Sequence, residues 1–131
     1  MILLGIKTHK ITQKDNDIFR ILDRYVKKLS EKSVVAVASK IVAITEGRIV
    51  KIGTIDKDEL IKQESQYYLP RSQNPYNVSL TITGGTLIAS AGIDESNGNG
   101  YYILWPKDPQ KTANRIRIWL KSRFNLKNVG V

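Results

Sequence analysis

Cysteine is absent from this chain, so neither a disulfide framework nor a thiolate metal site is open to it, which fits a reducing compartment. Long apolar runs are absent too: no stretch approaches the roughly 20 residues that a membrane-spanning helix needs. The start, Met1-Ile2-Leu3-Leu4, is a short apolar run before Lys7, without the basic leader and small-residue cleavage site of a signal peptide. The expectation is a soluble, cytoplasmic protein with no membrane partner. Internal repeats and low-complexity segments are also missing. Acidic residues are outnumbered, 12 against 21 Lys and Arg, giving a formal net charge of +9. That excess favours anionic partners, namely nucleotides, phosphorylated metabolites and nucleic acid, without choosing among them.

What is present is ordinary globular material, 41% hydrophobic and 25% charged, long enough for one domain spanning 1–131 with a real core. Residues 2–6 read as a short strand. Residues 15–30 carry apolar side chains at 18, 21, 22, 25, 26 and 29, one helical stripe, with Asp15, Asn16 and Asp17 supplying capping oxygens. Residues 33–44 are rich in Val, Ile and Ala with no helical period, as in a strand covered on both faces, and Glu46-Gly47 supplies a turn. Residues 48–52 alternate as a strand, 56–66 form a short helix, and 67–77, with Pro70 and Pro75, form a loop. Strands at 78–83 and 86–91 flank the hairpin signal Gly84-Gly85, and 101–105 is a further strand. Asp108 caps a helix that opens on Pro109 and runs to Phe124, with Ala113, Ile116 and Leu120 as its inner row. Residues 128–131 begin a strand that stops, so the chain reads as truncated. The mixed order argues α+β, with a mixed or antiparallel sheet and two main helices.

The densest chemistry is in Ala91-Gly92-Ile93-Asp94-Glu95-Ser96-Asn97, followed by Trp105-Pro106-Lys107-Asp108-Pro109. Asp94 and Asn97 place a carboxylate and an amide just beyond an apolar strand, which suits oxygen ligation of a hard cation and hydrogen bonding to a nucleotide. Asp, Ser, Asn and Gly also close plain turns by bonding their own backbone, so both readings stand at this point.

Ser39-Lys40-Ile41-Val42 leading to Glu46-Gly47-Arg48, the 91–97 run, and the Trp105 run with Thr112-Ala113 and Ile116-Arg117 resemble the coenzyme F-420-0:L-glutamate ligase family, the gamma-glutamyl ligases. The resemblance runs from about Lys7 to Val131 and corresponds to the N-terminal half of a family enzyme. It implies amide ligation: a nucleoside triphosphate, GTP or ATP, activates an acceptor carboxylate, and the amino group of L-glutamate attacks it. The acceptor is a cofactor such as coenzyme F-420-0 or a folate-like molecule. The resemblance implies a divalent metal, Mg²⁺ or Mn²⁺, with a monovalent cation as a further cofactor. It makes Asp94 a metal ligand, Asn97, Ser39 and Lys40 nucleotide contacts, and Thr8, His9 and Lys10 an N-terminal nucleotide-contacting loop, in which His9 stands where the family usually has proline. It also implies an intertwined homodimer in the full-length form.

Two departures bear on specificity. Ala43-Ile44 occupy positions where family members commonly carry Ser-Lys, and an isoleucine cannot donate to a phosphate. The stretch between the strands near Arg48 and Val78 is shorter than is usual in the family. The family's second half carries an Asp-Thr or Asp-Ser pair that binds metal and a glycine-rich nucleotide segment, so the 131-residue piece alone is expected to be inactive. The alternative is a basic, non-catalytic assembly or nucleic-acid-binding domain, with Tyr67, Tyr68, Tyr76, Tyr101 and Tyr102 as stacking surfaces. Tyrosines beside strands more often pack in or around a core, which disfavours nucleic acid as the partner.

Overall fold

The computed structural model describes residues 2–96 and 98–131. Along the chain the elements are α1 (Ile18–Tyr25), β1 (Ser33–Val34), α2 (Ser39–Thr45), β2 (Ile49–Lys51), α3 (Lys57–Gln63), β3 (Tyr67–Leu69), β4 (Leu80–Thr83), β5 (Thr86–Ala89), β6 (Tyr101–Ile103), α4 (Pro109–Phe124) and β7 (Val129–Gly130). The architecture is α+β. Among the described residues, four α-helices accompany three small sheets instead of the one sheet and two main helices expected. They divide into two compact units, Met1–Gly47 with Asp108–Val131, and Arg48–Lys107.

The first unit is built around α1 and α4. Asp17 caps α1 by accepting from the Phe19 N–H at 2.8 Å, and Ile18, Ile21 and Leu22 fall on its buried face at helical spacing. The helix ends at Tyr25, five residues before the end of the sequence stripe, because Val26 is already extended. Asp108 caps α4 through the Lys111 N–H at 2.9 Å, Pro109 opens it, and Asn125 closes it in the left-handed conformation. Its buried row is Thr112, Ile116 and Leu120, one position away from the expected Ala113 at the first step. Ile18, Leu22, Val26, Ile116, Leu120 and Val129 form the core. β1 and β7 pair in parallel, Ser33 with Val129 and Val34 with Gly130.

Two strand expectations fail here. Residues 39–45 form α2 instead of continuing a strand. Intrinsic preference for Val and Ile in strands is weak enough for packing to override it, and Val42, Ala43 and Thr45 share one buried face only as a helix. The expected turn at Glu46-Gly47 is this helix's exit: Gly47 has φ +69° and donates its N–H to the Ile44 carbonyl at 3.0 Å. Residues 2–6 are not a strand. Ile2, Leu3 and Leu4 are more than four-fifths exposed, and an apolar sequence without a ladder partner has no means of forming β-structure.

The second unit pairs β2 with β6 antiparallel, and β3, β4 and β5 as an antiparallel meander. The expected loop at 67–77 instead contains β3 and a 3-10 turn at Arg71–Gln73, because β4 supplies the partner edge for Tyr67–Leu69. Gly84 and Gly85, with φ +57° and +72°, make the two-residue hairpin between β4 and β5. Asp56 caps α3, and Leu60, Ile61, Ala91, Ile93, Tyr102 and Leu104 form the core. The Arg48 guanidinium ties the unit together by pairing with Glu64 and donating to the Trp105 carbonyl at 3.2 Å. In the meander the usual alternation is inverted. Tyr68, Thr81 and Ile88 pair across the inner face, whereas Tyr67, Leu69, Leu80 and Leu87 are exposed on the other.

Among the described residues no helix is long and apolar enough to cross a membrane. Leu120 is fully buried in the first core and Ile118 is two-thirds exposed on the same helix. Leu120→Ala is expected to cost about 2–5 kcal/mol in urea denaturation, and Ile118→Ala less than about 0.5 kcal/mol. Equal effects would show that the core is not where the packing places it.

Candidate functional site

The loop carrying Asp94 begins with an unusual piece of backbone. Ser90, Ala91 and Gly92 have φ of +52°, +53° and +69°, three successive left-handed residues. Such geometry costs roughly 1–2 kcal/mol for each residue with a Cβ, and it persists only where the surroundings over-determine it. Here they do. The Ser90 N–H donates to the Ser79 carbonyl at 2.8 Å, the Ala91 N–H to the Thr81 hydroxyl at 2.9 Å, and the Ile93 N–H back to the Ser90 carbonyl at 2.9 Å. The Trp105 ring lies against position 92, where a Cβ would sit 2.5 Å from it, so only glycine fits.

The turn delivers Asp94 to β6. Its N–H and carbonyl exchange hydrogen bonds with Ile103, both at 2.8 Å. The half-buried side chain then caps the next bend: Oδ1 accepts from the Ser96 N–H at 2.7 Å and from the Ser96 hydroxyl at 2.6 Å. Glu95 pairs with Lys57 at 2.6 Å, and the Lys57 ammonium also lies 5.7 Å from the centre of the Tyr102 ring. Among the described residues no three His, Cys, Asp or Glu side chains gather as a metal shell. The donors at this loop are hard oxygens, one carboxylate beside a hydroxyl. They suit Mg²⁺ or Mn²⁺, ions commonly held by one or two carboxylates together with phosphate oxygens, and not a thiolate or imidazole cage. Asn97 lies outside the described residues.

The remaining expected residues belong to the first unit. Ser39 and Lys40 are the first two residues of α2 and not part of a strand; Ser39 is exposed and Lys40 half-buried. Ala43, in the place of the family's serine, is fully buried in the same helix, and Ile44 is half-buried. The Thr8 hydroxyl donates to the His9 carbonyl at 2.9 Å, and Lys10 is exposed. His9 is held from both sides: Nε2 lies 2.8 Å from an Asp15 carboxylate oxygen, Nδ1 2.7 Å from the Tyr25 hydroxyl, and the His9 N–H donates to that hydroxyl at 3.1 Å. A carboxylate can only accept, so Nε2 carries a proton toward Asp15, while Nδ1 makes the second bond with the Tyr25 hydroxyl. The ring also stacks on Tyr25, with centroids 5.6 Å apart. These contacts make His9 the anchor of residues 8–10 on α1.

Sequence reasoning missed Thr81, Trp105 and Tyr25 as supports of these two places. Threonine in a strand signals nothing beyond strand preference, and only the glycine at 92 hinted at a close approach.

Asp15 receives the Thr12 N–H at 2.8 Å. That bond, and then His9, hold its carboxyl below the usual carboxylate range against an opposing push from burial. The folded value therefore lies below the unfolded one. The stabilisation is complete above the unfolded value of about 3.9 and is lost as the pH falls through the depressed folded value. Asp15→Asn is expected to lower the urea midpoint at neutral pH, with the gap to the parent narrowing steadily below about pH 4. A gap independent of pH would assign the effect to shape and not to charge.

A family described as F420-0:Gamma-glutamyl ligase matches residues 5–131. The coenzyme F420:L-glutamate ligase of Methanopyrus kandleri strain AV19 is 30% identical over 121 aligned residues, covering 79% of this chain and 47% of that protein. The chain thus spans about half the length of the curated relative it matches. With the family match running through both units and through the loop that carries Asp94, this chain belongs to the F420-0:gamma-glutamyl ligase family.

Proposed function

We propose that this chain serves a nucleotide-dependent gamma-glutamyl ligation, the addition of L-glutamate to a carboxylate of an acceptor such as coenzyme F420-0. The observation that carries this reading is the family match across residues 5–131, supported by a relative named for that ligation. The acceptor carboxylate takes the γ-phosphoryl group of GTP, releasing GDP, and the glutamate amine then displaces phosphate from the acyl phosphate to form the amide. Mg²⁺ or Mn²⁺, when bound, neutralises the charge that develops on the transferred phosphoryl oxygens. In this reading Asp94 contributes one carboxylate to that ion, and Asn97 is a nucleotide contact. Lys40 and Ser39, at the start of α2, are nucleotide contacts in the same reading. The Thr8–Lys10 segment borders the nucleotide, and the bonds from His9 to Asp15 and Tyr25 fix its course. Because Ala43 and Ile44 bring no donor of their own, nucleotide binding rests more heavily on Lys40, and a folate-like acceptor stands as the second substrate class. A homodimer of the full-length form belongs to the same reading.

Isothermal titration of the full-length protein with GTP is expected to show binding that depends on Mg²⁺ or Mn²⁺. Asp94→Ala should abolish the metal dependence while leaving residual binding, and Lys40→Met should weaken the nucleotide about tenfold, equivalent to about 1.4 kcal/mol. Metal dependence unchanged in Asp94→Ala removes that residue from the site. Mass spectrometry of coenzyme F420-0 incubated with the full-length protein, glutamate and GTP tests the reaction itself: glutamyl product without nucleotide consumption would sink the ligase reading.

A further inference from the structure

Thr81 is a strand residue with 2% of its surface exposed, and its hydroxyl does two things at once. It donates to the carbonyl of Ile88 on the neighbouring strand and accepts the N–H of Ala91, the fully buried centre of the left-handed turn. A hydroxyl is the smallest group that can both donate and accept, and both partners here are backbone. The turn it holds is the one that brings Asp94 to Ile103, and that bridge stands alone, outside any longer ladder. A lone pair of hydrogen bonds is a marginal unit. Its geometry therefore depends on the direction from which the chain arrives. If Ser90 and Ala91 relaxed to ordinary negative φ, the chain would leave Gly92 on a different heading and the Asp94 carboxylate would turn with it.

We propose that Thr81 is the positioning residue for Asp94, its buried hydroxyl latching the left-handed turn Ser90–Gly92 so that the carboxylate is presented to a divalent cation in one fixed orientation. The proposal rests on the reading of Asp94 as the carboxylate that meets that cation. It gives Thr81 no contact with any ligand.

The test uses the full chain with Mn²⁺ and GTP as probes and two measurements. Hydrogen exchange of the Ala91 amide reports the latch without reference to metal, and Mn²⁺ titration by water proton relaxation reports the site. Thr81→Val, equal in size but unable to accept, is expected to speed Ala91 exchange by tenfold or more and to weaken Mn²⁺ about tenfold. Thr81→Ser should restore both. Ala91→Gly in the Thr81→Val background, which removes the Cβ penalty of the left-handed turn, should recover part of the Mn²⁺ affinity while Ala91-site exchange stays fast. Thr81→Val with unchanged Ala91 exchange or unchanged Mn²⁺ affinity overturns the proposal, as does a serine variant no better than valine. Asp94→Asn separates the two levels: if it leaves Mn²⁺ affinity intact, the metal reading of Asp94 fails, while the exchange data still decide whether Thr81 holds the turn.

Discussion

Left-handed backbone at two residues that carry a Cβ, Ser90 and Ala91, is the constraint around which the second unit is arranged. Neither residue prefers it, so the surroundings must supply what the local sequence withholds. They supply an inward threonine on β4, a carbonyl from Ser79, and an indole packed on a position that admits no side chain. The inverted alternation of the β3–β4–β5 meander follows from the same need. A hydroxyl must face inward at Thr81, and Tyr67, Leu69, Leu80 and Leu87 are left exposed on the other face. Strain of this kind collects where a protein must hold a group in an orientation that relaxed backbone would not give. Asp94 is the group three residues beyond Ala91.

The first unit is arranged differently, by a conventional core and by carboxylates that close its irregular segments. Glu31 accepts the Lys127 N–H at 3.0 Å and also the Asn128 N–H, and the first of these bonds holds its carboxyl below the usual range. Asp23 pairs with Arg123 at 2.8 Å between α1 and α4. In the second unit Asp58 pairs with Arg71, Glu64 with Arg48 and Glu95 with Lys57. Exposed pairs of this sort add little stability. Their effect on the field is larger, because much of the acidic minority is matched within the chain and the surplus of positive charge is what an approaching anion meets.

Much of this was legible in the sequence. Asp108-Pro109 marks a helix start by two independent mechanisms, and α4 begins where they place it. Gly84-Gly85 between apolar runs could only be a tight hairpin. The family was legible as well, from the motifs at 39–48, 91–97 and 105–117, and the family match across 5–131 agrees. What resisted reading was decided by tertiary contacts. Residues 39–45 look like a buried strand because Ile, Val and Ala are shared by buried strands and buried helices; the choice fell to a face formed by Val42, Ala43 and Thr45 and to a glycine able to end the helix. The segment 2–6 has strand composition and no partner edge. At the site, chemistry could be read from Asp94 but not its supports, since a threonine 13 residues upstream becomes relevant only after the hairpin folds it back.

The division of the chain carries a consequence for the order in which it takes shape on the ribosome. Arg48–Lys107 is an uninterrupted stretch, translated before α4. β1, by contrast, emerges early and finds its parallel partner only when Val129 is made. At typical rates of about 5–20 residues per second, Val34, three-quarters exposed even when paired, waits unpaired for roughly five to twenty seconds. The unit bearing the Asp94 loop is thus continuous in sequence, whereas the unit that begins the sequence needs residues from both sides of it to close.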